Sequence, residues 1–282
     1  MFGSHLSIAG GMHKAILEAQ RLGMESVQVF TKNQQQWKVK PLEAEAISLW
    51  KSHLSESGFK HTVSHDSYLI NLASPDETLW RKSIDLFGEE LRRCEQLGIG
   101  LLVTHPGAHV GSGEEAGLAR VAAALNILFG EVDAPNVITC LEITAGQGSC
   151  LGCSLEHLAT ILDGVKHPEK LGVCLDTAHL FAAGYDFRGA KYKAFRKDLE
   201  KSIGVERVRV LHLNDSKREL GSRVDRHEHI GHGQIGLEGF EPFVRDKAFK
   251  NVPKILETPK AKHEDGRDWD TVNLETLRGL MK

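Results

Sequence analysis

Six short apolar runs in this chain each end on a residue able to bind a metal ion. They close on His65, His105, Glu142, Asp176, His212 and Glu257, with gaps of 34 to 45 residues between successive ends. Two local motifs add donors. Asp176-Thr177-Ala178-His179 spaces a carboxylate and an imidazole by three, so both face one way on a turn leaving a strand. Asp225-Arg226-His227 spaces them by two, which puts both on one side of extended backbone. The set is then nine: five His (His65, His105, His179, His212, His227) and four carboxylates (Glu142, Asp176, Asp225, Glu257). One zinc ion takes three or four protein ligands, so nine imply two or three ions with some carboxylates shared. Imidazole and carboxylate without thiolate suit Zn²⁺, with Mn²⁺ or Fe as substitutes. Clusters of this kind clamp a phosphodiester, acidify bound water and stabilise a leaving oxygen.

Residues so far apart must be gathered by a fold. Strand and helix signals alternate from end to end, with strands at Phe2–Ser7, Ser26–Phe30, His61–His65, Gly100–His105, Val137–Glu142, Leu171–Asp176, Val208–Asn214 and Val252–Glu257. Helical stretches fall at Gly11–Leu22, Pro41–Ser57, Asp76–Leu97, Glu114–Asp133, Ser154–Asp163, Lys191–Ile203, Leu237–Val244 and Thr271–Met281. Eight strand–helix units are the α/β pattern of a single (β/α)₈ TIM barrel, whose strand ends meet at one mouth where active sites lie. The near-continuous apolar strands fit a parallel sheet buried on both faces. No linker or low-complexity tract divides the chain, so residues 1–282 are expected to form one domain. The longest connection without a predicted element runs from Asp215 to Gly236. Its Arg223, Asp225, Arg226, His227, Glu228, His229 and His232 argue for a functional loop.

The chain has 282 residues, 41% hydrophobic and 26% charged, as in ordinary water-soluble globular proteins. No signal peptide and no membrane-spanning run is apparent, so a cytoplasmic enzyme without membrane contact is expected. Cys150 and Cys153 form an isolated Cys-x-x-Cys with no second pair to complete a zinc ribbon. They are expected to be reduced loop thiols. A formal charge of −3 argues against a generic basic nucleic-acid binder. Three divalent ions would bring it to about +3 and make the cluster the main local attraction for phosphate.

The motifs resemble endonuclease IV, the zinc-dependent apurinic/apyrimidinic endonuclease family of DNA base-excision repair. The matching segments are Phe30-Thr31-Lys32-Asn33-Gln34, His65-Asp66-Ser67-Tyr68-Leu69-Ile70-Asn71, His105-Pro106-Gly107 and Glu142-Ile143-Thr144-Ala145-Gly146-Gln147-Gly148. They continue through Asp176-Thr177-Ala178-His179, Phe181-Ala182-Ala183-Gly184-Tyr185-Asp186 and His212-Leu213-Asn214-Asp215-Ser216-Lys217 to Gly221-Ser222-Arg223-Val224-Asp225-Arg226-His227 and Leu256-Glu257-Thr258. The resemblance implies three Zn²⁺ per chain. His65, His105 and Glu142 would hold one; Glu142, Asp176, His212 and Glu257 the second, with Glu142 bridging; His179, Asp225 and His227 the third. It implies hydrolysis of the phosphodiester 5′ to an abasic deoxyribose in duplex DNA, and trimming of blocked 3′ ends. The nucleophile would be water-derived, with Glu142 and Glu257 as catalytic ligands that orient and help activate it. A monomer is expected.

Damage recognition would fall to the rim. Tyr68 and Leu69 follow the third strand and are candidates to insert through the minor groove, letting the damaged nucleotide flip out. Ile70 reads as packing. Asn33 and Gln35 are candidate DNA contacts. Gln35 stands where the family often has Arg, which costs a charge and guanidinium stacking. His229 and His232 are not ligands in the family pattern. The nearest rival is a metal-dependent sugar isomerase or epimerase on a related barrel, which typically binds one or two ions. A non-catalytic DNA-damage binder that retains metal for folding is a further alternative.

Overall fold

The computed structural model describes every residue from Met1 to Lys282. In chain order the elements are β1 Phe2–His5, α1 His13–Arg21, β2 Ser26–Val29, α2 Ala44–Ser57, β3 Thr62–His65, α3 Glu77–Leu97, β4 Leu101–Thr104 and α4 Glu114–Glu131. They continue as β5 Ile138–Glu142, α5 Leu155–Gly164, β6 Leu171–Asp176, α6 Thr177–Ala183, α7 Tyr192–Ser202 and β7 Val208–His212. The chain ends with β8 Asp215–Ser216, β9 His227–Glu228, α8 Leu237–Arg245, β10 Lys254–Leu256 and α9 Trp269–Gly279. Eight parallel strands close a barrel in the order β1-β10-β7-β6-β5-β4-β3-β2, while β8 and β9 form a separate antiparallel pair. This is the expected (β/α)₈ barrel.

Helix boundaries follow local chemistry. Asp76 caps α3 by accepting from the Leu79 amide at 2.7 Å, and Gly98 ends it in the left-handed region that glycine adopts without strain. Ser154 caps α5 in the same way. Pro41 does not start the second helix as expected; α2 begins at Ala44 after Glu43 in extended backbone.

The side-chain period of two along a strand aims the mouth. The apolar residues inside the barrel are Val63, Leu101, Val103, Cys140, Cys174, Val210 and Ile255. Two positions beyond the last of these on each strand stand His65, His105, Glu142, Asp176, His212 and Glu257. Each candidate ligand therefore shares the inward face with a core residue beneath it. Glu257 and His105 lie one residue past their strands, where backbone hydrogen bonding has ended but direction is still set.

At the opposite end Lys254 is buried, its Nζ donating to the carbonyls of Phe249 (2.5 Å) and Val252 (3.2 Å). Burial pushes its pKa down to about 8, against the weaker pull of Glu25 and Asp246. Between pH 8 and 10.5 the unfolded chain keeps this proton while the folded chain has lost it, so stability gains from rising pH there. The penalty is fully present below pH 8. Lys254→Met is expected to remove a slope approaching about 1.4 kcal/mol per pH unit within that window. Denaturant melts from pH 7 to 10.5 check it; superimposable slopes for both proteins would refute it.

Candidate metal centre

Glu142 is the hub. Its carboxylate, fully buried at the end of β5, has Oε2 3.1 Å from the Nε2 of both His65 and His105. Its Oε1 lies 2.9 Å from His212 Nδ1 and 3.3 Å from His179 Nδ1. His65, His105 and Glu142 place one ligand atom each within 4.8 Å of one another, as do Glu142, Asp176, His212 and Glu257. The structure thus brings together the first two donor sets.

The third set is arranged slightly differently. Asp225 bridges the two imidazoles, its oxygens 3.2 Å from His179 Nε2 and 3.2 Å from His227 Nε2. The compact triplet, however, is His179, His227 and Asp176. Asp176 Oδ2 lies 3.8 Å from His227 Nε2 and 3.9 Å from His212 Nδ1, so this carboxylate stands between the second and third sets. His227 Nε2 is buried and makes no directed hydrogen bond despite its nearness to Asp225.

Second contacts hold the donors. Asp176 Oδ1 accepts from the His179 amide (2.9 Å) and so caps α6, while Oδ2 accepts from Asn214 Nδ2 (2.6 Å). Asn214 Oδ1 in turn accepts from the Glu257 amide (2.7 Å). His179 Nδ1 lies 2.9 Å from the Ile143 carbonyl. Such outer contacts fix the ring orientation and tautomer of ligating histidines.

Gln28 decides whether a cation fits. Its Nε2 is 2.6 Å from Glu257 Oε1 and its Oε1 is 2.8 Å from His212 Nε2. A carboxylate only accepts, so the amide NH₂ must face Glu257 and the amide oxygen must accept from His212 Nε2–H. His212 Nδ1 is then a bare lone pair, yet it faces Glu142 Oε1 at 2.9 Å and Glu257 Oε2 at 3.2 Å. Three converging acceptors repel unless a positive species sits among them. A proton can play that part: burial opposes charging His65, His179 and His212, but the surrounding acidic groups outweigh it and hold all three well above the usual histidine range. His227 is pushed up to about 9 in the same way. Burial works against ionising Glu142 and Glu257, but the imidazoles, His212 foremost, keep both carboxylates far below their ordinary values. Donors, tautomer and charge all fit divalent cations.

The mouth is a cavity of about 750 Å³ lined by ligands and by Lys32, Asn33, Gln34, Gln35 and Tyr68. A second chamber of about 510 Å³, which shares Tyr68, His65, His105, His179 and Asp225 with the first, reaches Asn71, Gln147 and Arg226. Tyr68 is 74% exposed. Desolvation and the carboxylates, Glu257 first, push its hydroxyl up to about 12, so it stays a hydrogen-bond donor. Leu69 is half-buried and packs against the core, and Ile70 is buried there. Asn33 and Gln35 are exposed, with Asn33 Oδ1 accepting from the Gln35 amide at 2.9 Å. Under their loop lies a buried network in which Thr31 donates to Glu90 (2.6 Å), and Arg93 donates to the carbonyls of Thr31 (2.5 Å) and Lys40 (3.0 Å).

Comparison with known proteins identifies the family. The family described as a xylose isomerase-like TIM barrel matches residues 16–279. The chain is 48% identical over 282 residues to the "Probable endonuclease 4" of Chloroflexus aurantiacus, covering 100% of this chain and 98% of that protein. The chain belongs to the endonuclease IV family. Its structure is similar to the crystal structure of endonuclease IV from Thermus thermophilus, with 35% identity, a TM-score of 0.85, and coverage of 99% and 98% of the two chains. A D-psicose 3-epimerase from Clostridium cellulolyticum shares the fold alone, at 14% identity and a TM-score of 0.67 over 100% of this chain and 99% of that one.

Residues outside the family's ligand pattern settle elsewhere. His229 stacks on Trp269 with ring centroids 3.7 Å apart, and His232 and His263 meet the same indole edge-on. Cys150 and Cys153 are free thiols and join no donor group. Cys174 does lie beside Glu142 and His212, but burial pushes its thiol far up, so it stays protonated as barrel core. Gln28 and His5 were not singled out in the sequence. They occupy the inward mouth positions of β2 and β1, and the alternation that locates the other six donors would have located them.

Proposed function

We propose that this protein is a DNA-repair hydrolase that cuts the phosphodiester 5′ to an abasic deoxyribose in duplex DNA, leaving a 3′-hydroxyl and a 5′-deoxyribose phosphate, and also trims blocked 3′ ends. Residues 1–282 act as one domain and as a monomer. No helix is long and apolar enough to cross a membrane; a cytoplasmic location is our reading, since the substrate is chromosomal DNA. The observation that carries the proposal is the meeting of nine imidazole and carboxylate groups at one mouth around the buried Glu142 carboxylate. The names of its relatives support the endonuclease activity.

Three zinc ions, with Mn²⁺ or Fe as substitutes, would be held by His65, His105 and Glu142; by Glu142, Asp176, His212 and Glu257; and by His179, Asp225 and His227 with Asp176 in reach. Bound there, divalent cations supply positive charge to phosphate oxygens and lower the pKa of water. Glu142, reaching four imidazoles at once, sets the spacing of the sets. Glu257, fixed by Gln28 and the Asn214 contact, presents its Oε2 into the site and orients the nucleophile. Tyr68 is exposed enough to enter a minor groove, while Leu69 anchors it from below. Asn33 and Gln35, on a loop braced by Glu90 and Arg93, are placed to fill the gap left in the base stack.

Incision of a duplex bearing one abasic site is expected, with an intact duplex left uncut. EDTA or phenanthroline should abolish it and added Zn²⁺ restore it, and metal analysis should find about three zinc ions per chain. A fully metallated protein that cut both duplexes equally, or that interconverted aldoses and ketoses without cutting either, would overturn this reading.

A further inference from the structure

Six strand ends supply ligands; the other two, His5 on β1 and Gln28 on β2, sit directly opposite each other in the parallel pairing. Gln28 Nε2 uses one hydrogen on Glu257. Its second hydrogen points at His5 Nδ1, 2.9 Å away. A donor at that distance requires a lone pair on Nδ1. The longer 3.4 Å separation between His5 Nδ1 and Glu257 Oε1 is then a neighbouring contact and not the bond that sets the tautomer. The proton of neutral His5 must therefore sit on Nε2.

That Nε2 is buried, has no hydrogen-bond partner and belongs to a ring on the wall of the 750 Å³ cavity. The ring is packed against Phe30 at 4.2 Å between centroids and Nε2 itself is closed to solvent, so the ring or Phe30 must shift for the N–H to meet a strand in the cavity. The two lysines that line the cavity are already engaged. Lys32 Nζ lies 3.4 Å from Glu90, and Lys260 Nζ donates to Ser4 and Asp270. An anionic strand entering this cavity would find His5 as the enclosed donor with neither a protein partner nor an assigned metal role. A buried donor left unsatisfied is costly, so an acceptor is expected there when the site is filled.

We propose that His5 is a substrate-binding residue whose Nε2–H donates to a non-bridging phosphate oxygen of the bound strand, and that Gln28 is the positioning residue that keeps the proton on that nitrogen. This rests on the endonuclease reading and adds to it a specific contact. Gln28 thereby orients three groups through one amide: His212, Glu257 and His5.

The test compares wild-type protein with His5→Phe, His5→Gln and Gln28→Leu, each loaded with zinc and assayed for metal content. Two further readouts are affinity for the nicked product duplex, by fluorescence anisotropy, and kcat/KM on the abasic duplex. His5→Phe should keep the wild-type metal count and lose about ten- to a hundredfold in product affinity and kcat/KM. His5→Gln, which keeps an N–H donor, should recover most of that loss. Gln28→Leu should also weaken zinc binding by about ten- to a hundredfold, because His212 loses its outer partner. If His5→Phe does not fold, His5→Asn, whose amide is too short to reach, should show the same deficit. Product affinity and kcat/KM within twofold of wild type for a metallated His5→Phe would overturn the proposal. So would a deficit that merely tracks lost zinc. A wild-type protein that fails to incise the abasic duplex would instead remove the activity reading, while product binding would still judge His5.

Discussion

Glu142→Gln is expected to abolish incision, with kcat falling about a thousandfold or more and bound metal dropping well below the wild-type content. The substitution is nearly isosteric, so the loss is chemical. The carboxylate faces four imidazoles at 2.9 to 3.3 Å, and an amide can neither bridge two cations nor balance their charge. Losing one such ligand removes several kcal/mol of charge stabilisation, and each 1.4 kcal/mol is tenfold in rate. The metal-free protein should be affected as well. With His65, His179 and His212 held protonated mainly by buried carboxylates, removing the central one leaves their charge uncompensated, at a cost of about 3–5 kcal/mol. Elemental analysis, single-turnover incision and urea melts of the apo form check the three statements. A variant retaining the wild-type metal content and a tenth of wild-type activity would show that Glu142 is not the hub.

Asp215→Ala should cost about 3–4 kcal/mol and loosen the third donor set ahead of the other two. Asp215 is fully buried, and its carboxylate accepts the amides of Ser216 (2.8 Å), Gly231 (3.0 Å), Gly233 (3.1 Å), Ile235 (2.9 Å) and Gly236 (3.3 Å). Hydrogen bonds to an ionised group are worth about 1.5–3 kcal/mol each, and they are not additive within one network. A side chain at Gly233 would meet the Asp215 carboxylate itself, which explains glycine at that position. Through β8, Asp215 and Ser216 pair with Glu228 and His227 of β9, so the cradle sets where His227 stands. In the metal-loaded variant, amide exchange over residues 217–236 should accelerate, and part of the bound metal should leave at chelator concentrations that leave the wild type fully loaded. Unchanged exchange there would refute the coupling.

The long segment from Asp215 to Gly236 shows what sequence reading misses. Its functional character was visible in Asp225 and His227. Its order was not, because a two-residue hairpin and a carboxylate collecting amides from sixteen to twenty-one residues away leave no periodic signal. α6 was missed for a related reason. Thr177–Ala183 is one short helix buried as far as Ala182, so it has no solvent-facing polar stripe and no amphipathic pattern. Alternation along β2 locates Gln28 at the mouth but not its role: an amide at a strand end looks like an ordinary polar residue until Glu257 and His212 are seen on either side of it.

The barrel and the membership of the donor set were written in local pattern. A strand's period of two and a parallel barrel's common mouth make inward-facing strand ends converge, whatever lies between them. Partition of those donors was not local. That Asp176 stands between two sets, that His229 and His232 stack on Trp269 instead of joining them, and that His212 offers Nδ1 and His5 offers Nε2–H depend on contacts between residues tens to hundreds of positions apart. Only closure of the barrel sets those distances, because hydrogen bonding and charge act over a few ångströms that chain spacing does not encode.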